Sequence, residues 1–434
     1  MTIRHGFAEV FHDDQLVVAL PALDIVTQTL SGLGVALGSV ERNAVLRLAL
    51  IRDLKNVEAA VAALRRDGDI GPRLDRVGDE RRSRGQGDPA PLDLLVNGVL
   101  IQLASRFPGW IVEIGKNYRP SHVRGYPHLG GGGNGDPVPA EVPPGRTACD
   151  RKPTTGRGVR VGVLDTAMFP DPWLAGRYIA RPQDILDPDQ DQFTVFDGHC
   201  AFVTSCILRQ APAAEIHVRS VLAGDGDGSA WAAAVAIAEM AQAGVDVVNL
   251  SFGEYRTDDD SAPMVLRTAV NRLGPDTVVV AAAGNNGDVA SLPADFVPPG
   301  LKADSVSYPA ALPDVVGVGA LDRNGDWAAF TPHPAPWIRL LAPGVGLTGA
   351  YVRGPVLIEH RDRGGNLVDS TEVRFPGQAI WEGCSFAAAT VSGAIAAGTV
   401  PGRRGARQSL GELLSPDPAG PDRGIRPADL TRSR

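Results

Sequence analysis

Five apolar runs recur from residue 159 onward: Val159 to Leu164, Ile216 to Leu222, Val245 to Leu250, Thr277 to Ala283 and Val315 to Val318. Each is nearly continuous rather than alternating, so each must be buried on both faces. That pattern demands a parallel sheet covered by helices on its two sides. The stretches Ala230 to Ala243 and Met264 to Leu273 have the composition and length of the crossover helices such a sheet needs. The predicted class is therefore α/β, and in open sheets of this class functional groups collect just beyond the carboxyl ends of the strands.

The first part of the chain reads differently. Apolar runs at Leu16 to Leu20 and Ala44 to Ile51 suggest strands, and Val57, Ala60, Val61 and Leu64 recur at helical spacing behind Asn56, a candidate N-cap. Leu94 to Leu103 and Trp110 to Ile114 read as two more strands, and the Arg/Asp-rich run 65–84 as a solvated linker. These pieces make a small α+β domain over residues 1–128 with no catalytic cluster of its own. Gly130 to Gly133 and Pro143-Pro144 mark a Gly/Pro-rich linker over 129–157. The main domain then spans 158–400, and the Arg/Pro/Gly-rich segment 401–434 is expected to be a disordered tail.

Composition narrows the function. With 434 residues, 44% hydrophobic and 21% charged, the chain can bury a sizeable core. A formal net charge of -8 argues against a nucleic-acid or anionic-membrane partner. The first twenty residues lack the pattern of a secretory signal, no run approaches transmembrane length, and only Cys149, Cys200, Cys206 and Cys384 carry thiols. A reducing compartment, the cytoplasm, is the expectation.

The stretch Trp381 to Gly393 places Ser385 at a glycine-flanked entry to an alanine-rich helix. A helix N-terminus offers free N–H groups and partial positive charge, which suits a nucleophilic hydroxyl, although a tightly packed buried helix has the same composition. Three strand-end or helix-start residues complete an inventory. Asp165 ends Val-Arg-Val-Gly-Val-Leu, His199 sits in Asp-Gly-His-Cys, and Asn285 follows Ala-Ala-Ala-Gly. Singly they read equally well as a turn former, a helix-start histidine and a left-handed turn residue. Together they are the set for acyl transfer through an oxyanion.

These motifs resemble the subtilisin-like serine peptidases, the subtilases, whose Asp, His, Ser order is the one here. Val163-Leu164-Asp165-Thr166 is similar to the family's aspartate motif, Gly198-His199 to its histidine motif and Asn249-Leu250-Ser251-Phe252-Gly253 to its substrate-binding strand. Ala283-Gly284-Asn285-Asn286-Gly287 is similar to its oxyanion motif, Gly383-Cys384-Ser385-Phe386-Ala387-Ala388 to its serine motif, and Ala342-Pro343-Gly344 also recurs in the family. The resemblance implies a subtilisin-like parallel sheet flanked by helices and a serine endopeptidase acting on polypeptides. It implies Asp165, His199 and Ser385 as catalytic residues, Asn285 as oxyanion donor, and Ser251, Phe252, Gly253, Ala283 and Gly284 as substrate-binding, with no cofactor. The chain departs from the family pattern at Ala167, at Cys200-Ala201, at Cys384, at Phe386 and at Thr390.

Two spacings also depart. The gap from Asn285 to Ser385 is long, and the excess lies at about 353–380, where Val356 to Glu359 and Glu372 to Phe375 can pair as a hairpin around Gly364-Gly365. The segment Cys206 to Ile216 is short where many subtilases carry a calcium loop, so no metal is expected, and Gly224 to Gly228 reads as a turn. The N-terminal domain resembles subtilase propeptides through Ala44 to Arg66 and the closing Pro120-Ser121-His122-Val123. That implies an intramolecular inhibitor and self-cleavage between Tyr126 and Asp150. The rival readings are an independent binding or targeting domain and, for the whole chain, a catalytically weak or inactive peptide-binding module of the same fold. A nucleotide-binding α/β protein fits poorly, because no Gly-rich phosphate loop opens a helix after a strand.

Overall fold

The computed structural model describes residues 11–83, 88–122, 135–141, 151–256, 262–291, 297, 300–361, 366–415 and 424–428. The N-terminal unit contains β1 (Phe11–Ala19), α1 (Leu23–Gly32), β2 (Val40–Asn43), β3 (Leu48–Ile51), α2 (Val57–Arg66), α3 (Gly71–Ser83), α4 (Pro91–Arg106) and β4 (Ile114–Tyr118). Its sheet is antiparallel in the order β2-β3-β1-β4. Two short strands follow, β5 (Ser121–His122) and β6 (Val138–Pro139).

The remainder runs β7 (Arg160–Asp165), β8 (Tyr178–Ile179), β9 (Phe193–Thr194), α5 (His199–Gln210), β10 (Glu215–Ser220), α6 (Ala230–Ala243), β11 (Val247–Leu250), β12 (Phe252–Arg256), α7 (Met264–Val270) and β13 (Val278–Ala282). It continues with β14 (Val306–Tyr308), β15 (Val315–Leu321), β16 (Ile338–Pro343), β17 (Leu347–Arg361), β18 (Leu367–Trp381), α8 (Cys384–Gly398), α9 (Ala406–Leu413) and β19 (Arg426–Pro427). The main sheet has the order β19-β16-β15-β13-β11-β7-β10-β8 and is parallel except at β19. The five apolar runs supply β7, β10, β11, β13 and β15, as their two-sided hydrophobicity requires. One face packs on α5 and α8, the other on α6 and α7. The helix α8 is buried from Cys384 through Ala396, which explains its apolar character on every side.

Several local expectations are corrected. Leu94 to Leu103 lies inside α4 rather than in a strand, because Leu95, Val99 and Leu103 recur every four residues and turn one face into the core. Of Trp110 to Ile114 only Ile114 enters a strand, and the run 65–84 carries α3, anchored by buried Leu74. Asn56 precedes α2 with a left-handed backbone and no side-chain cap bond. The supposed tail contains α9, whose Ala406, Leu410 and Leu413 join the main core, and β19, which pairs with β16. Within 129–157, residues 135–141 and 151–157 are described: Val138 and Pro139 pair with β18, and Ala140 is buried. The expected hairpin is present as β17 and β18, with Val356 opposite Val373 and Leu357 opposite Glu372; its Gly364-Gly365 tip lies outside the described residues.

The N-terminal sheet lies between two sets of helices, and strand alternation sorts its side chains. Leu16, Val18, Ala49 and Ile51 point into its own helices, whereas Val17, Leu48 and Leu50 pack with Trp231, Ala233, Ala234 and Val265 of α6 and α7. Polar contacts fix the docking. The Asn117 side chain accepts from the Trp231 backbone N–H at 3.0 Å, the Trp231 indole donates to Glu41 at 2.8 Å, and Arg119 pairs with Asp227 at 2.8 Å. Asp227 lies in the Gly224 to Gly228 segment, which is a turn. Finally, β5 pairs antiparallel with β12, Ser121 opposite Gly253 and His122 opposite Phe252.

Candidate active site

Three elements bring the sequence-selected residues together. Asp165 is the last residue of β7, in the middle of the sheet; His199 is the first residue of α5; Ser385 is the second residue of α8. Both helix starts depend on a glycine. A Cβ on Gly198 would stand 2.2 Å from Tyr351 Cδ2, and Gly383 holds φ 156°, a backbone that side-chain-bearing residues rarely adopt. The three side chains are nearly dry, at 0, 3 and 3% exposure for Asp165, His199 and Ser385.

The His199 ring is held through Nδ1, which lies 2.8 Å from Asp165 Oδ1. Asp165 Oδ1 also accepts from the Thr166 backbone N–H at 2.8 Å, and the Thr166 hydroxyl donates to the Phe196 carbonyl and accepts from the Cys200 N–H. Thr166 thereby ties the strand end to the turn that presents the histidine. Trp381 and Phe386 pack on the imidazole with centroids 5.4 and 5.3 Å away. Sequence reasoning missed Trp381 as a site residue, although its place four residues before Ser385 was available as a signal.

Ser385 is fixed from below by a buried polar chain. Ser392 donates to Asn249 Oδ1, Asn249 Nδ2 donates to Ser251 Oγ, and Ser251 Oγ donates to the Ser385 carbonyl, at 2.9, 2.8 and 2.9 Å. The Ser385 hydroxyl in turn donates to the Ser251 carbonyl at 3.2 Å. This chain locks α8 against β11 and β12. Asn285 accepts the Cys384 N–H through Oδ1 at 2.9 Å, which turns its Nδ2 toward the α8 N-terminus, 3.4 Å from where a Gly383 Cβ would be. Its backbone N–H donates to the Tyr255 hydroxyl at 3.0 Å. Ala283 and Gly284 precede it at the end of β13, and Ser251, Phe252 and Gly253 run past Ser385 toward β5.

The two cysteines beside the site are fully buried. Burial pushes the Cys384 thiol up to about 12 and the Cys200 thiol well above the ordinary range. Both fill core space, Cys384 beside the Thr331 hydroxyl. Among the described residues no group of three or more His, Cys, Asp or Glu side chains is placed to hold a metal ion, and no helix is long and apolar enough to cross a membrane.

The family profile described as the subtilase family matches residues 156–399, more than half of the chain. The chain belongs to the subtilase family. This subtilase is 31% identical over 210 residues to Subtilisin BL of Lederbergia lenta, covering 47% of this chain and 70% of that protein. It is 32% identical over 203 residues to Subtilisin DY of Bacillus licheniformis, covering 45% and 68%. Among solved structures, the patellamide maturation protease PatA matches at 22% identity and a TM-score of 0.41, covering 60% of this chain and 86% of that one. The subtilase is a subtilisin-like serine endopeptidase, and its substrates are polypeptides.

Proposed function

We propose that this subtilase cleaves peptide bonds through an acyl-enzyme formed on Ser385, with His199 as base, Asp165 as its orienting anion and Asn285 as oxyanion donor. With Nδ1 donating to Asp165, the imidazole presents Nε2 as an acceptor. In the reaction the Ser385 hydroxyl leaves the Ser251 carbonyl and gives its proton to Nε2 while its oxygen adds to the substrate carbonyl. The negative charge that develops is met by Asn285 Nδ2 and the Ser385 backbone N–H at the positive end of α8. Collapse expels the amine, which takes the proton from His199, and water repeats the cycle to free the acid. Substrate lies as an added antiparallel strand on Ser251 to Gly253, with Ala283 and Gly284 flanking the reacting residue. The observation that carries this reading is the convergence of Asp165, His199, Ser385 and Asn285 at the ends of β7, α5, α8 and β13. A serine-directed phosphonate should label wild-type protein at Ser385 and leave Ser385→Ala unlabelled; labelling of the variant to the same extent would overturn the assignment.

The same pairing supports a resident inhibitor. β5 lies on β12 as a substrate strand would, so the N-terminal unit blocks the cleft in which it docks. The reading predicts a self-cut chain whose N-terminal part remains bound. The interval Tyr126 to Asp150 lies outside the described residues except 135–141, and the pairing of those residues with β18 moves the expected cut upstream, between His122 and Gly135. Intact mass should show two pieces in wild type and one in Ser385→Ala; identical cutting of both would assign the cut to another protease. A cytoplasmic location suits the free, buried thiols of Cys200, Cys206 and Cys384. Recovery of the protein only from the culture medium would exclude it.

A further inference from the structure

We propose that residues 135–141 form a permanent strap along the leaving-group side of the cleft, so that the cut enzyme favours substrates with few residues beyond the scissile bond. The inference rests on Ser385 being the nucleophile and on a cut between His122 and Gly135, and it concerns the segment that stays with the catalytic domain after that cut.

Strand direction carries the argument. A chain on β12 in the register of Ser121 opposite Gly253 and His122 opposite Phe252 runs toward Ser251, whose carbonyl receives the Ser385 hydroxyl. β6 pairs antiparallel with β18, Val138 opposite Ile380 and Pro139 opposite Ala379, so it runs away from Trp381 and hence from Ser385. The two pieces therefore have the direction and order of one polypeptide laid across the serine. Its acyl half is on β12 and its leaving half on β18.

A cut between His122 and Gly135 separates these halves unequally. The acyl half belongs to the N-terminal unit and can be released, whereas the leaving half stays covalently joined to the catalytic domain. Three contacts hold it there. Trp381 donates its indole N–H to the Gly135 carbonyl at 2.6 Å, Ala140 donates its backbone N–H to the Gln378 carbonyl at 3.1 Å, and Asp136 lies 3.5 Å from His360 Nε2 on β17. Pro137 and Ala140 are buried. The strap thus occupies the edge of β18 on which a substrate's leaving half would have to pair.

The strap also begins close to the reacting atoms. The Trp381 ring that binds Gly135 is itself 5.4 Å from the His199 ring. Because Gly135 is bonded to a ring that packs on the imidazole, the strap leaves room for only a short leaving group, of a few residues at roughly 3.3 Å each. Longer leaving groups must either displace the strap or turn out of the cleft without main-chain pairing.

The test is a series of peptides that share one acyl half and carry one, two, four, six or eight residues after the cleaved bond. In the cut wild-type enzyme kcat/KM should fall about tenfold between two and six leaving residues, the scale of one or two lost net hydrogen bonds. Ala140→Pro, which removes the N–H to Gln378, and His360→Ala, which removes the partner of Asp136, should each flatten that fall. Equal kcat/KM at all lengths in wild type overturns the proposal. Inactivity at every length would instead count against the Ser385 reading, so a second measurement is independent of turnover. In Ser385→Ala carrying an added endopeptidase site in place of Gly130–Gly133, the peptide spanning 135–141 should keep its hydrogen-exchange protection after the chain is opened. Loss of that protection on opening means that the strap does not stay, and overturns the proposal.

Discussion

Asn117→Ala should release the N-terminal unit from the cut enzyme. Asn117 is the penultimate residue of β4, is 0% exposed, and serves the catalytic domain directly, because its Oδ1 accepts the backbone N–H of Trp231 in the first turn of α6. Its Nδ2 donates to Gln15 at 2.8 Å within the N-terminal unit. Truncation leaves the Trp231 N–H buried without this acceptor, which costs about 1–3 kcal/mol, and removes the neutral hydrogen bond from Asn117 Nδ2 to the Ser229 hydroxyl across the two units, worth about 1 kcal/mol. The sum of about 2–4 kcal/mol corresponds to roughly 30- to 700-fold weaker docking at about 1.4 kcal/mol per tenfold. Gln15→Ala, which breaks only a bond inside the N-terminal unit, should change docking by about threefold or less. The assay is the return of peptide hydrolysis when the cut complex is diluted, fitted for the dissociation constant of the N-terminal fragment. A dissociation constant for Asn117→Ala within threefold of wild type would refute the claim that this amide couples the two units.

Other outcomes follow from the same contacts. Asn285→Ala should lower kcat by about 10²–10³-fold with KM nearly unchanged, a range set in part on subtilisin itself; an equal loss confined to KM would remove Asn285 from the oxyanion role. Organic mercurials should leave activity intact at short times, because burial keeps both Cys200 and Cys384 protonated and covered; rapid stoichiometric inhibition would show that one of them opens to solvent. Burial alone would raise the Glu41 pKa, but hydrogen bonds from Arg52 and the Trp231 indole outweigh it, so the docked carboxyl titrates below its ordinary value. Arg52 lies in the same unit as Glu41, so only the bond from the Trp231 indole is made on docking; that charge-assisted bond is complete above the ordinary carboxylate range and weakens as pH falls through the docked value, and Glu41→Gln should abolish the acid-side weakening in the dilution assay.

The candidate site was legible because each of its residues sits at the end of a chemically conspicuous segment. Asp165 ends an apolar strand, Asn285 follows another, and His199 and Ser385 open helices behind Gly198 and Gly383. Such positions are specified locally, by hydrophobic periodicity and by glycine. Two segments that differ from expectation also carry a local signal. In Leu94 to Leu103 the spacing of Leu95, Val99 and Leu103 is helical, and a continuous apolar run of that length does not by itself distinguish a strand from a buried helix. In the last segment, Ala406, Leu410 and Leu413 carry a helical stripe that the surrounding Arg, Pro and Gly obscure.

The contacts that restrain the site were hidden for a different reason. β5 and β6 are each two residues long, and they are held largely through backbone groups on β12 and β18, whose residues lie more than a hundred positions away in the chain. Main-chain pairing places almost no demand on side-chain type, and Pro139, which has no N–H to give, would ordinarily argue against a strand. It is tolerated because β6 is an edge strand and the Trp381 indole and Ala140 supply the bonds on either side of it. A cleft that recognises polypeptide backbone can recognise its own chain by the same means. For that reason the segments paired with β12 and β18 leave little trace in composition.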